Sequence, residues 1–225
     1  MSAILFGSIG VLADTSELQR ASFNEAFRAH GLDWDWSQEE YRELLTSSGG
    51  EQRIADYAQQ RGEQVDAAAV HATKSERFRS RLEQGGVTPR PGVAQTIEAA
   101  RRDDIGLALV TTTSRENIAA LATALAPAID IADFSVVIDR TEVREPKPAP
   151  EAYALALARL SERPDACVAI EDNLGGVQAA DAAGVTVIAF PGENNADHDF
   201  ERAARRVDHV SFDELRSLMS AEGIS

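Results

Sequence analysis

The sequence predicts an α/β fold, a parallel sheet with a helical insertion after its first strand, and three observations point there. Short apolar runs without alternation recur along the chain, helical patterns separate them, and one long stretch near the N-terminus carries helical patterns alone. Unalternated apolar strands are those covered on both faces, which is how parallel sheets are built.

The strand runs are 3–6, 105–110, 135–138, 167–170 and 185–190. The helices between them have readable ends. Ser114 can cap a helix carrying Ile118, Leu121 and Leu125, and Pro150 opens one carrying Tyr153, Leu157 and Leu160. Pro91-Gly92 opens another with Val93, Ile97 and Ala100 on one face, and Ser211-x-x-Glu214 reads as a capping box before Leu215 and Leu218. From Ser16 to Gly86 no strand run occurs. Leu18, Phe23 and Phe27 share one helix face, and Ser37-x-x-Glu40 starts a helix with Tyr41, Leu44 and Leu45. Ile54, Tyr57 and Ala58, then Val70, Phe78 and Leu82, mark two more, with Gly31, Gly49-Gly50, Gly62 and Gly85-Gly86 as breaks. The expected division is a core of residues 1–15 and 87–225 and a helical lid of residues 16–86. Residues 12–15 and 86–91 form the hinge pair over the carboxyl ends of the strands. Trp34 and Trp36 are expected to pack inside the lid, with a ligand-stacking platform as the alternative.

The chain of 225 residues is 44% hydrophobic and 26% charged, the balance of an ordinary globular protein. A formal net charge of -15 disfavours nucleic-acid backbones and anionic membrane surfaces as partners. The opening Met-Ser-Ala-Ile-Leu-Phe lacks the basic start and apolar length of a secretion signal, and the single Cys167 excludes an internal disulfide. Both features point to the cytoplasm. The four histidines, His30, His71, His198 and His209, show no metal-ligand spacing. The polar run Asn194, Asn195, Asp197 and His198 reads as a solvated turn.

Four segments could carry chemistry. The first strand runs into Phe6-Gly7-Ser8-Ile9-Gly10-Val11-Leu12. The second ends in Thr111-Thr112-Thr113-Ser114-Arg115, where hydroxyls and free backbone amides at a helix start can hold a phosphoryl oxygen. Lys147-Pro148-Ala149-Pro150 follows, and then Glu171-Asp172-Asn173-Leu174-Gly175-Gly176 at the end of an apolar strand. Only two lysines, Lys74 and Lys147, stand against twenty arginines, so a compact cation between prolines is a candidate anion ligand. A solvated loop lysine is the alternative. Glu171 and Asp172 are adjacent carboxylates that must face a metal, a cation or water, or cap the next helix.

In order and spacing these segments resemble the four motifs of the haloacid dehalogenase superfamily. Ser16 to Phe27, Asp33-Trp34-Asp35-Trp36 and Glu40 to Thr46 are similar to the CbbY-type sugar-bisphosphate phosphatases of its β-phosphoglucomutase-like branch. The resemblance implies a Rossmann-like core, an α-helical cap, Mg²⁺ and a small phosphosugar. It also implies that Thr111, Thr112 and Lys147 hold phosphate and that Glu171 and Asp172 hold the metal. Asp14, Gln19, Arg53 and Arg115 are candidates for cap or substrate contacts. Such enzymes attack phosphorus with a first aspartate and move protons with a second.

Those two positions hold Gly7 and Ile9. Gly7 supplies neither a nucleophile nor a metal ligand, and Ile9 cannot transfer a proton. Gln19 stands where the branch commonly has His, and Glu51 where CbbY-type proteins tend to have a basic residue. Ser8, in an extended strand end, would point away from the face that Gly7 and Ile9 share, and Asp14 falls at the hinge. Three readings remain: a catalytically silent protein with a phosphate-sized pocket that binds a phosphorylated metabolite or a protein partner; a working Mg²⁺-dependent phosphatase on a small phosphorylated sugar; and a normal phosphatase altered at both positions. Metal binding is expected to be weak or absent, because one carboxylate ligand is missing.

Overall fold

The computed structural model describes residues 2–45 and 49–219. All five expected runs become strands: β1 (Ala3–Phe6), β2 (Gly106–Val110), β3 (Val136–Ile138), β4 (Cys167–Glu171) and β5 (Thr186–Ala189). A sixth, β6 (Arg205–Arg206), has no apolar signal because both residues are exposed and pair only through their backbone with Ile188 and Ala189. The sheet order is β3-β2-β1-β4-β5-β6 and every pair is parallel. Chain direction across the sheet therefore reverses around β1, the place where such sheets open a crevice. Phe6 is in register with Leu109 on one side and Ile170 on the other, so β1, β2 and β4 end side by side.

Ten helices are described: α1 (Ile9–Leu12), α2 (Ser16–Ala29), α3 (Gln38–Leu44), α4 (Gly50–Arg61), α5 (Ala67–Glu83), α6 (Val93–Arg102), α7 (Arg115–Leu125), α8 (Glu151–Leu160), α9 (Leu174–Ala182) and α10 (Phe212–Leu218). Alternate strand residues point to opposite faces. Ile4, Phe6, Leu109 and Ile170 pack with Ile97 of α6, Leu121 of α7 and Leu215 of α10. Leu5, Ala108 and Ala169 pack with Tyr153 of α8 and Val177 of α9. Cys167 is buried in the sheet, and burial pushes its thiol up to about 11.

Ser37 and Ser114 cap α3 and α7 as expected, accepting from the amides of Glu40 and Asn117. The capping box at Ser211 does not form. Ser211 flanks α10 without a side-chain cap bond, and Glu214 instead pairs with Arg205 at 2.8 Å across the adjacent edge strand. No helix among the described residues is long and apolar enough to cross a membrane.

Helices α2 to α4 and the start of α5 surround a separate apolar cluster of Phe23, Phe27, Trp34, Trp36, Tyr41 and Ile54. Both tryptophans are buried there, each ringed by aromatic neighbours at 4.6–6.0 Å. One polar residue fixes this cluster. Buried Asn24 accepts from the Trp36 amide at 2.9 Å and donates to the Trp36 carbonyl at 3.0 Å. Arg20 also donates to that carbonyl at 2.8 Å, whereas the amide is met by Asn24. Asn24→Ala is expected to destabilise by about 1–3 kcal/mol by stranding a buried donor. The check is a lower denaturant midpoint with an unchanged m-value; an unmoved midpoint would refute it.

Candidate functional site

The ends of β1, β2 and β4 meet around one ammonium group. Lys147, 5% exposed, donates to the Gly7 carbonyl, to the Val110 carbonyl at 2.7 Å and to Glu171 Oε1 at 2.6 Å. An ammonium has three N–H donors, and here all three are used. Glu171 is fully buried and also accepts from the Tyr153 hydroxyl at 2.7 Å. The Tyr153 ring lies under the ammonium, 4.7 Å from its centroid. Burial pushes the Glu171 carboxyl up, against the opposing pull of Lys147. Burial and the neighbouring carboxylate together raise the Tyr153 phenol well above its ordinary value, so it remains a donor.

Two glycines make room for Glu171. A Cβ built on Gly7 or on Gly176 would overlap the Glu171 carboxyl group, and one on Gly7 would also lie 2.5 Å from the Tyr153 hydroxyl. The space in which a side chain at residue 7 would project is thus filled by the carboxylate of residue 171. Ile9 does not face this cluster: it lies on α1, 6% exposed, within the apolar core.

Ser8 keeps extended backbone and α1 begins at Ile9, so the strand alternation ends there and Ile9 turns into the apolar core. The Ser8 hydroxyl caps α1 by accepting from the Val11 amide and donates to Asp172 Oδ1 at 2.8 Å. The same oxygen accepts from the Asn173 side-chain amide at 2.8 Å. Thr111 is buried with its hydroxyl accepting from the Thr113 amide at 3.2 Å, and Thr112 beside it is half-buried at the mouth of the loop before α7. Arg115 is exposed and engaged by buried Asp139 at 2.9 Å.

The helical insertion holds buried cations of its own. Lys74 of α5 is buried, donates to Gln19 Oε1 at 2.9 Å and sits over the rings of Phe23 and Phe78 at 4.7 and 5.2 Å. Burial, helped by the Arg53 charge, brings its ammonium down to about 7. His71, one turn away, is held down to about 4 by burial and then by the charges of Lys74, Arg140 and Arg53. Arg53 is buried against the Leu44 carbonyl at 2.8 Å. Arg140 follows β3 and is tied to the hydroxyl loop through its amide bond to the Thr113 carbonyl. Glu51 is exposed.

The turn at 193–198 is only partly solvated: Asp197 is exposed and His198 half-buried, but the two asparagines are not. Asn194 and Asn195 are 1% and 5% exposed. Asn194 donates to Glu17 of α2 at 2.6 Å, Gln38 of α3 reaches Glu193 at 2.8 Å, and Asn195 holds the Asp172 carbonyl at 3.1 Å. Polar side chains were read as facing water when they face another polar surface, and nothing local distinguishes the two. Asp14 belongs to the same junction: it accepts from the Ser16 amide and hydroxyl and from the Glu193 amide at 2.8 Å. Burial raises its pKa, but these bonds prevail and lower it.

Mg²⁺ demands near-octahedral oxygen ligation. Of the two carboxylates expected to hold it, Glu171 is turned inward onto Lys147 and Tyr153, and Asp172 Oδ1 is engaged by Ser8 and Asn173. No three Asp, Glu, His or Cys side chains among the described residues converge on a common point. Glu171 Oε2, by contrast, is buried without a hydrogen-bond partner, so the two carboxylates keep an open oxygen for a cation, and the donor that Gly7 does not supply is the one missing from the set.

Tyr153 is the member of this cluster that the sequence hid. It shares the apolar face of α8 with Leu157, and its hydroxyl, six residues after Lys147, was the one hint.

A family model described as haloacid dehalogenase-like hydrolase matches residues 1–184. Protein CbbY of Cereibacter sphaeroides is 44% identical over 97% of this chain and 95% of its own length; Protein CbbY of Rhodobacter capsulatus is 40% identical over 94% of each. Among solved structures, CbbY from Rhodobacter sphaeroides in complex with phosphate superposes with a TM-score of 0.87 at 41% identity, covering 97% of this chain and 99% of that one. A mutant of that protein in complex with Xylulose-(1,5)bisphosphate gives the same score at 41% identity, covering 98% of this chain and 100% of its own.

Lys74 generates a pH prediction. Its folded pKa of about 7 lies below the ordinary 10.5, so between these values the unfolded chain binds more protons and stability rises with pH. The slope contributed by one group is at most about 1.4 kcal/mol per pH unit. Urea unfolding from about pH 7 to 9.5 is expected to show this rise and Lys74→Met to remove it; identical profiles for the two proteins would contradict the burial.

Proposed function

We infer, since this chain belongs to the haloacid dehalogenase-like hydrolases and among them to the CbbY-like proteins, that it is a catalytically silent member binding a small phosphorylated sugar between core and cap. One observation carries the reading. The position of the attacking carboxylate is Gly7, and its space is filled by Glu171, locked by Lys147 and Tyr153. Such a carboxylate cannot attack phosphorus while it is buried and paired, and Ile9 offers no proton transfer.

Binding needs no nucleophile. The hydroxyls of Thr111 and Thr112 supply donors on the core side, above a floor anchored by Lys147. On the cap, residues 16–86, Arg53, Lys74 and neutral His71 form one cationic group, near enough for the charge of Arg140 to act on His71. A phosphate arriving beside Lys74 favours its protonated form, so ligand and cation stabilise each other. Gln19 and Asp14 shape the cap end and hinge. A protein partner has no supporting contact among these residues.

A second reading, a working Mg²⁺-dependent phosphatase on a small phosphorylated sugar, draws support from the retention of Thr111, Lys147, Glu171 and Asp172 at matching positions.

Hydrolysis of a panel of sugar mono- and bisphosphates with Mg²⁺, beside the Gly7→Asp/Ile9→Asp variant, separates the two. Losing members of a cooperating catalytic set costs about 10⁴-fold or more, and the parent is expected to fall at least that far below the variant. A parent turning over at roughly 1 s⁻¹ or faster would end the silent reading. Saturable protection of the parent against thermal unfolding by a panel member is the expected binding signal; protection by none of them would remove the ligand half of the proposal.

A further inference from the structure

Both lysines of this chain are buried, and they spend their donors differently. Lys147 uses all three N–H groups inside the core. Lys74, 4% exposed, uses one, on Gln19 Oε1, and among the described residues no carboxylate pairs with it. The charged neighbour that acts on it is Arg53 of α4, which has the same sign. A buried ammonium left in this condition is costly unless an anion meets it.

Its place in the fold is the seam between the two halves of the molecule. The Phe23 ring on one side belongs to the aromatic cluster of the insertion, and the Phe78 ring on the other belongs to the core cluster. Gly50 opens α4 without a side-chain cap, close enough that a Cβ there would lie 2.7 Å from His71 Nε2, so the positive end of a helix adds to the same field. We propose that Lys74 takes a phosphoryl oxygen of the ligand with its two unspent donors, and that Gln19 is the residue that positions it. This rests on the cleft being a phosphosugar site and adds which ammonium meets the charge.

Gln19 suits the task because both ends of its amide are committed. Its oxygen accepts from Lys74, and its nitrogen donates to the hydroxyl of buried Thr15 at 3.2 Å, at the start of α2. A histidine in this place would bring a second titrating charge beside Lys74, whereas an amide stays neutral. Of the groups around it, His71 is held down to about 4, the buried Tyr41 phenol is pushed up to about 12, and the guanidinium groups of Arg53 and Arg140 are permanent cations. Lys74 is left as the group here whose charge changes near neutral pH. A phosphate monoester is a dianion above about pH 6, so affinity falls on the alkaline side as Lys74 loses its proton.

The chain has only two lysines, so isotope-labelled lysine gives two Cε signals in nuclear magnetic resonance, and Lys74→Arg removes the one to follow. Its pH titration is run at constant ionic strength, with and without inorganic phosphate. Phosphate is expected to raise the Lys74 midpoint by at least about one pH unit, because by linkage it binds the ammonium form at least about tenfold more tightly. Gln19→Leu removes the acceptor and is expected to lower the phosphate-free midpoint by about one unit and to weaken phosphate binding near neutral pH by roughly tenfold. Gln19→Glu supplies an internal counter-charge, and is expected to raise the phosphate-free midpoint and abolish the phosphate-induced rise. That variant keeps the size and one acceptor, so it decides the role of Gln19 even if Gln19→Leu fails to fold. A Lys74 midpoint that phosphate leaves in place would overturn the proposal, as would a phosphate-induced rise that persists in full in Gln19→Glu. If the midpoint stays in place while a member of the sugar phosphate panel still protects against thermal unfolding, the binding reading survives this loss. If neither effect occurs, both fall.

Discussion

A carboxylate buried to zero exposure at the end of a central strand is tolerable only if a cation meets it, and the architecture of this cleft follows from that constraint. Glu171 meets Lys147, and the two remaining donors of Lys147 meet the carbonyls of Gly7 and Val110. Those carbonyls end β1 and β2, where strand backbone runs out of ladder partners. One side chain therefore satisfies the backbone, neutralises the carboxylate and sets the spacing of three strand ends. Replacing only one member of a buried pair is what makes such an arrangement costly to change.

Around this fixed point the two halves of the molecule are joined by polar contacts of opposite character. The 193–198 turn couples α2 and α3 to the Asp172 carbonyl through Asn194, Asn195 and Gln38. Arg90, after the helical insertion, reaches the carbonyls of Gly10, Phe190 and Pro191 and stacks on the Phe190 ring at 3.4 Å. The first junction is built mainly of side chain on side chain. The second is one guanidinium on three backbone carbonyls, beside a backbone bond from the Arg90 amide to the Leu12 carbonyl at 2.9 Å.

The strands and the helical stretch were legible because each rests on apolar periodicity, which is a local signal: five of the six described strands and the aromatic cluster around Trp34 and Trp36 follow from it directly. β6 escaped because an edge strand of two arginines pairs through backbone alone. At the site, the identities of Lys147, Glu171 and Asp172 were visible, but their orientation was not. A glutamate at a strand end reads as facing the cleft; that it turns inward depends on glycines at residues 7 and 176, far apart in the chain, leaving the same volume empty. Tyr153 was invisible as a polar group because its ring alone explained its position.

The central claim is that Glu171 Oε1, held by Lys147 and Tyr153, occupies the space beside Gly7 that an attacking carboxylate would need. A crystal structure of the unmodified protein soaked in inorganic phosphate tests it most directly. The account predicts the Glu171 carboxyl within hydrogen-bond reach of Lys147 and Tyr153 and against the Gly7 backbone. A Glu171 carboxyl swung away from both, with the space beside Gly7 open, would contradict it.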